Sequence, residues 1–262
     1  GAMKLDAIGP AEIEGYKAKK LADRLDKKSI NNHLTALRKL LNLALEWGVV
    51  DRVPKVCGFK VKPQFVSEDE YLTFEESDRF LRAAAPEWKT FLTTALKTGL
   101  RVGELLALKW QDIDLVAGHL IVRRTLWRDQ EGPPKGGLNR KVPLSDEALA
   151  TLKAHRHLRG PYVFCDEKGG RLTHSVVKDV VPDNCRRAGL GKRITTHGLR
   201  HTFASHLVMR GASLKAVQEL LGHESIEMTL RYSHLTPDVK REAVQLLDRP
   251  AGLGDIEETG KR

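Results

Sequence analysis

Residues 195–234, TTHGLRHTFASHLVMRGASLKAVQELLGHESIEMTLRYSH, constrain this chain more than any other stretch. Polar starts and glycine stops divide it into two short helices and a further turn, with Gly222 ending a helix and Ser225 opening the next start. His197 and Arg200 are three residues apart, so on a helix they leave one face about a turn apart. His223 follows the Gly222 stop, and Tyr232 comes nine residues later. These four side chains can converge around one anion. Such a set suits attack on a phosphate better than ordinary core packing.

Two positions upstream fit the same chemistry. In TGLRVGELLALKW, Gly99 stops one helix, and Val102, Leu105, Leu106 and Leu108 form the apolar side of the next. Arg101 then falls at a helix N-terminus, where backbone amides also favour anions. Glu104 can pair with it and hold its guanidinium plane, although an isolated Arg–Glu pair is more often a surface salt bridge. Lys135 lies in the turn GPPKGGLN, from which a flexible amine can reach into a site. Taken alone it reads as an ordinary exposed lysine.

The remaining chain reads as mainly helical. Residues 10–25 carry a helical pattern weakened by Gly15, with Pro10 suited to a first turn. Ser29 can cap a helix whose apolar side is Ile30, Leu34, Leu37, Leu41, Ala44 and Leu45 and which Gly48 ends. Its other face carries Asn31, His33, Arg38 and Lys39, which fits either a DNA-facing surface or an ordinary solvated face. Between Pro54 and Asp69 the periodicity disappears, and Lys55, Lys60, Lys62 and Pro63 suggest an extended basic linker. Thr73 and Glu76 have capping-box spacing, and an apolar helix follows from Trp88 to Leu96.

Strands are expected over 119–127 and 141–144, with 112–115 as a possible third. Trp127 reads as core in preference to a stacking residue. Helix returns at 145–158, and a short strand with a Gly-Gly turn follows in YVFCDEKGGRL. A helix near 173–188 must accommodate Pro182. After the opening stretch, Thr236-Pro237 begins a last helix with Val239, Ala243, Leu246 and Leu247 on one side, and 250–262 reads as a disordered tail.

The 262 residues allow one large domain or two ordinary ones. With 44 Lys+Arg against 34 Asp+Glu the formal charge is +10, which favours a polyanionic partner. Nucleic acid comes ahead of membrane, since there is no long apolar run or lipidation motif. Cys57, Cys165 and Cys185 lack zinc or disulfide spacing and read as reduced thiols. Without a signal peptide or membrane span the expected compartment is the cytoplasm. Gly1-Ala2-Met3 resembles a protease-cleavage scar, so the natural chain is expected to extend upstream.

Together, Arg101 in TGLRVGEL, His197-x-x-Arg200 in HGLRHTFASHL, LGH ending at His223, and Tyr232 in RYSH resemble the tyrosine recombinases, or phage integrases. PPKGGLNRKVPL resembles the hairpin lysine segment of that family, which assigns Lys135, with Lys141 its nearest competitor. SINNHLTALRKLLNLALEWG resembles part of the helical core-binding domain, here short of its first helix or helices and of any arm-site-binding domain. The resemblance implies an α+β, mainly helical fold in two parts: a small all-α core-binding domain (1–58), a basic linker (59–70) and a mixed catalytic domain with a small antiparallel sheet (71–249). The two parts would form a C-shaped clamp on duplex DNA.

It also implies roles. Tyr232 is the nucleophile, Arg101 and Arg200 clamp the scissile phosphate, and His223 donates a further hydrogen bond. His197 exchanges a proton with Tyr232, and Lys135 protonates the leaving 5′-oxygen. Glu104 and His234 support the site, while His201 and His206 read as packing or supporting residues. DNA-binding candidates are Asn31, His33, Arg38, Lys39, Lys60 and Lys62. No metal or other cofactor is implied. Partners are duplex DNA, further copies in a tetramer, and accessory DNA-bending or directionality proteins. The implied function is site-specific recombination for a phage or mobile element. A Xer-like dimer resolvase, a type IB topoisomerase and a non-enzymatic architectural DNA-binding protein are the alternatives.

Overall fold

The computed structural model describes residues 3–61, 64–128, 130–237, 244, 245 and 248. The chain divides into two compact units, Gly1–Pro63 and Gln64–Arg262. Lys62, the four apolar residues of the expected last helix, and the tail lie outside the described residues.

The first unit is helical. Pro10 occupies the first turn of α1 (Pro10–Ala22), where its missing N–H costs nothing. α2 (Lys27–Glu46) starts ahead of the expected Ser29, because the Asp26 carboxylate accepts the Ser29 N–H at 2.9 Å. Ile13, Ile30, Leu34, Leu41 and Val56 form the core. Leu45, expected on that side, is 40% exposed. Asn31 brackets the backbone of Phe59, donating to its carbonyl (2.9 Å) and accepting its N–H (2.7 Å). Arg38 donates to the Val56 carbonyl at 2.6 Å. The following segment is thus tied along α2, and the expected linker begins as packed chain.

The second unit opens with Val66 and Tyr71 buried against the Tyr232 region. α3 (Phe74–Arg82) has the Thr73–Glu76 capping box, and α4 (Pro86–Thr98) ends at Gly99 in the left-handed conformation. α5 (Val102–Leu106) starts immediately afterwards. Strands β1 (Ile113–Asp114), β2 (His119–Val122) and β5 (Arg140–Pro143) form an antiparallel sheet in the order β1-β2-β5, with Leu120 facing Val142. β3 (Thr125–Trp127) and β4 (Gln130–Gly132) form a separate hairpin.

The single strand expected over 119–127 is therefore two. Arg124 donates both ways to the buried Asp112 carboxylate (2.6 and 2.8 Å), and Arg123 lies 3.5 Å from it. These ion pairs occupy the residues between β2 and β3. Trp127 is 69% exposed, not core, because alternation buries Leu126 and turns its neighbours outward.

α6 (Asp146–His155) is capped by Ser145. The strand expected in YVFCDEKGGRL reduces to isolated bridges, Lys109 with Tyr162 and Cys165 with Arg171. The helix expected near 173–188 is divided into α7 (His174–Val177) and α8 (Val180–Arg187), with Pro182 in the first turn of α8, where no helical hydrogen bond is lost. α9 (Thr196–Met209) packs on α4, and α10 (Leu214–Leu221) ends at Gly222 in the left-handed conformation. Tyr232 lies in a 3₁₀ segment, Leu230–Leu235.

Candidate active site

The C-terminus of α10 organises the site. Three consecutive carbonyls there each accept a different arginine: Leu220 from Arg140 (2.9 Å), Leu221 from Arg200 (2.6 Å) and Gly222 from Arg101 (3.4 Å). Helix C-termini carry unpaired carbonyls and partial negative charge, so cations are stable there. Arg200 also donates to the Gly99 carbonyl at 2.7 Å, tying the end of α4 to the end of α10. Both left-handed glycines thus present their carbonyls to the cluster. Gly222 is held to glycine twice over, by its φ of 61° and by Arg140, whose Cδ would lie 2.9 Å from an added Cβ.

One carboxylate serves these guanidinium groups. Glu104 is 2% exposed and takes Arg140 in bidentate fashion (2.9 and 2.6 Å). It also accepts the Arg101 guanidinium at 3.0 Å and the Arg101 backbone N–H at 2.8 Å, which caps α5. Arg140 gives the stronger pairing of the two, and sequence reading missed it; its position directly before Lys141 was the only local signal. Arg200 makes no ion pair among the described residues and is 2% exposed. Burial, followed by the charge of Arg101, pushes it down to about 9, so it stays cationic at neutral pH. Three positive charges against one negative leave the pocket short of an anion.

His223 sits beside this cluster, with Nδ1 2.8 Å from the Thr229 hydroxyl. Burial, then Arg200 and Arg101, push it down to about 3, so it is neutral. A Thr229 hydroxyl donating to Nδ1 would leave the proton on Nε2, available to an anion.

Tyr232 is 1% exposed and its hydroxyl lies 2.7 Å from His201 Nδ1. The expected partner was His197. That residue is one turn earlier on α9 at the exposed rim, with its ring edge-on to His201 at 4.6 Å. His201 was expected only to pack or support; it touches the nucleophile candidate directly. Partial burial and then Arg200, Arg231 and Arg101 lower His197. Burial raises Tyr232 to about 12 and, with Arg231 and His197, lowers His201 to about 3. The hydroxyl therefore rests as a neutral phenol against a neutral imidazole.

Other expected residues make no hydrogen bond or ion pair with this cluster among the described residues. Lys135 is exposed in the β4–β5 turn, with no hydrogen bond or ion pair among the described residues. Its competitor Lys141 is exposed on β5. His234 is exposed, with its ring 5.0 Å from Phe65, and His206 Nε2 donates to the Leu72 carbonyl (2.8 Å). Of the DNA-binding candidates, Asn31 and Arg38 are engaged with backbone, and His33 Nδ1 lies 2.7 Å from the Tyr16 hydroxyl. Lys39 and Lys60 remain exposed.

The depressed histidines make stability acid-sensitive. Below an ordinary histidine value of 6.5 the unfolded chain binds protons that folded His201 and His223 refuse until about pH 3. Stability is thus retained above that window and lost as pH falls through it, at about 2 kcal/mol per histidine by about pH 5. Urea midpoints should fall accordingly between about pH 7.5 and about pH 5; an unchanged midpoint would contradict neutral burial of both rings.

Residues 70–238 match the phage integrase family. The chain is 28% identical to a tyrosine recombinase XerC of Thermodesulfovibrio yellowstonii, covering 97% of this chain and 85% of the relative. It is 33% identical to a tyrosine recombinase of Thermosipho africanus, covering 93% and 82%. Among solved structures, the Tn1549 transposon integrase in complex with transposon right end DNA superposes with a TM-score of 0.73 at 22% identity, over 95% of this chain and 88% of that one. That last likeness is one of fold.

Proposed function

Because the chain belongs to the phage integrase family, the tyrosine recombinases, we propose that it cuts and rejoins duplex DNA site-specifically through a 3′-phosphotyrosine intermediate. The observation that carries this reading is the arginine cluster on the last carbonyls of α10, an anion-deficient pocket adjoining the buried phenol of Tyr232. Arg101 and Arg200 would bind the non-bridging oxygens of a phosphodiester and stabilise the charge of the pentacoordinate transition state. Arg140 and Glu104 set their positions. Neutral His223, and His197 at the rim, would donate to the same phosphate.

Attack by Tyr232 on phosphorus forms the Oη–P bond and releases the 5′-oxygen, which Lys135 would protonate. The phosphotyrosyl bond keeps the phosphodiester energy, so resealing needs no ATP. The cationic side chains supply the charge neutralisation that a metal ion provides elsewhere. The first unit would serve as the core-binding domain, with Lys39 and Lys60 among its exposed cations. Assembly into a tetramer on DNA, accessory proteins and a cytoplasmic setting belong to the same reading.

The test uses duplexes selected by the protein from a random-sequence pool and nicked beside the cleavage point. Wild-type protein with EDTA should form an adduct that survives denaturant and maps to the peptide carrying Tyr232. Failure to form one on DNA that the protein binds would sink the reading; loss only on adding EDTA would sink its metal independence. The relatives named tyrosine recombinase XerC are compatible with a second reading of the biological role, Xer-like dimer resolution, beside integration of a phage or mobile element. Strand exchange between two duplexes, as against relaxation alone, separates both from a topoisomerase.

A further inference from the structure

The phenol of Tyr232 has one hydrogen-bond partner among the described side chains, and it is His201 Nδ1 at 2.7 Å. Arg200 and His201 are consecutive on α9 and point to different tasks. Arg200 reaches the carbonyls of Gly99 and Leu221, whereas His201 faces the 3₁₀ segment that carries Tyr232. The imidazole is 6% exposed, and the two rings lie 5.8 Å apart. His197 makes no such contact with the phenol; its ring meets His201 edge-on instead. With its own proton on Nε2, His201 presents Nδ1 as a positioned acceptor for the proton on the attacking oxygen, one residue beyond the phosphate clamp.

Building on the phosphotyrosine reading, we propose that His201 is the catalytic residue that takes the Tyr232 proton on cleavage and returns it on religation. As Oη bonds to phosphorus its proton passes to Nδ1, giving an imidazolium. The P–O5′ bond breaks and its electron pair leaves with the 5′-oxygen, which takes a proton from Lys135. In religation the 5′-hydroxyl returns that proton to Lys135 as it attacks, and the imidazolium protonates the departing phenolate. The balance closes without a further co-reactant.

The surroundings hold the pair neutral in the free protein. His201 faces Arg231, His197 and Arg200, which disfavour an imidazolium, while Glu70 favours it. Burial depresses the imidazole further and raises Tyr232. A phosphodiester bound between Arg101 and Arg200 adds a negative charge beside those cations and makes the imidazolium accessible. DNA binding thus activates the pair through charge. His197 is left at the exposed rim as a donor to the phosphate.

The test compares full-length wild type, His201→Asn and His201→Phe on the selected nicked duplex, with either a normal phosphate or a 5′-bridging phosphorothiolate at the cleavage point. Asn places an oxygen near the Nδ1 position, so it keeps a hydrogen-bond acceptor but cannot carry the proton. Both variants should form adduct about 100-fold more slowly than wild type. The phosphorothiolate should not rescue them, since a thiolate leaving group needs no acid and the defect lies on the nucleophile. Lys135→Ala, by contrast, should be rescued. Gel shift and thermal melting confirm that each variant folds and binds; Asn serves where Phe does not.

Wild-type rates in His201→Asn would reduce His201 to a positioning role and overturn the assignment. Rescue of either variant by phosphorothiolate would move His201 to the leaving-group side and overturn it as well. Faster cleavage by His201→Phe would make the bond a resting latch, with the same consequence. Absence of adduct with wild type on both substrates would instead strike the phosphotyrosine reading itself.

Discussion

Tyr232→Phe is expected to form no covalent adduct with DNA, a loss on the order of 10⁶-fold on the scale seen when a nucleophile is removed. The substitution deletes one oxygen and keeps the ring within its cluster of Val66, Tyr71, Ala204, Val208, Val217 and Leu221. It also removes the 2.7 Å hydrogen bond to His201, leaving a buried imidazole nitrogen without its partner. The stability cost should be about 1–2 kcal/mol, too small to unfold the protein. Denaturing electrophoresis after incubation with the nicked duplex reads the adduct, while gel shift reads binding. The phosphate clamp does not include the phenol, so binding should survive. A persistent adduct in the variant would move the nucleophile elsewhere.

Glu104→Ala carries the other large effect, on stability. The carboxylate neutralises Arg140 and Arg101 and caps α5 through the Arg101 N–H. Removing it leaves three guanidinium groups gathered at the end of α10 with no countercharge, at a cost of about 3–5 kcal/mol. For a unit of this size the melting temperature should drop on the order of 10 °C. Glu104 is itself held below the ordinary carboxylate range, burial being outweighed by Arg140 and Arg101. Its contribution is therefore full at neutral pH and lost only as pH falls through its lowered value. Inorganic phosphate should restore part of the stability of the variant by occupying the anion-deficient pocket, and should stabilise it more than wild type. A melting temperature within about 2 °C of wild type would show that the helix-end carbonyls hold the arginines unaided.

Much of the site was legible because its pieces are local. Gly99 and Gly222 mark helix ends where the chain must turn left-handed, and His197 and Arg200 are placed by helical spacing alone. Arg101 and Glu104 needed only a three-residue interval on α5. The pairs across long intervals were not legible. Arg140 is 36 residues from Glu104, and His201 is 31 from Tyr232. Periodicity states which face a side chain leaves, not which distant element it meets.

Lys135 shows the same limit from the other side. The turn carrying it was legible from Pro-Pro-Lys-Gly-Gly, yet the side chain is exposed and has no hydrogen bond or ion pair among the described residues. Turn composition does not say what an unpaired amine will meet when DNA is bound.

By itself the sequence determined the helical segments, their caps and stops, and the motifs that relate the chain to the phage integrase family. Short-range geometry and apolar spacing suffice for those. The tertiary structure alone decided that β2 and β3 part at the arginines drawn to Asp112, that Asn31 and Arg38 are engaged within their own unit, and that Tyr232 faces His201 and not His197. The physical reason is common to all three. A buried charge or hydrogen-bonding group takes whatever partner packing brings within reach, and packing is a property of the whole fold.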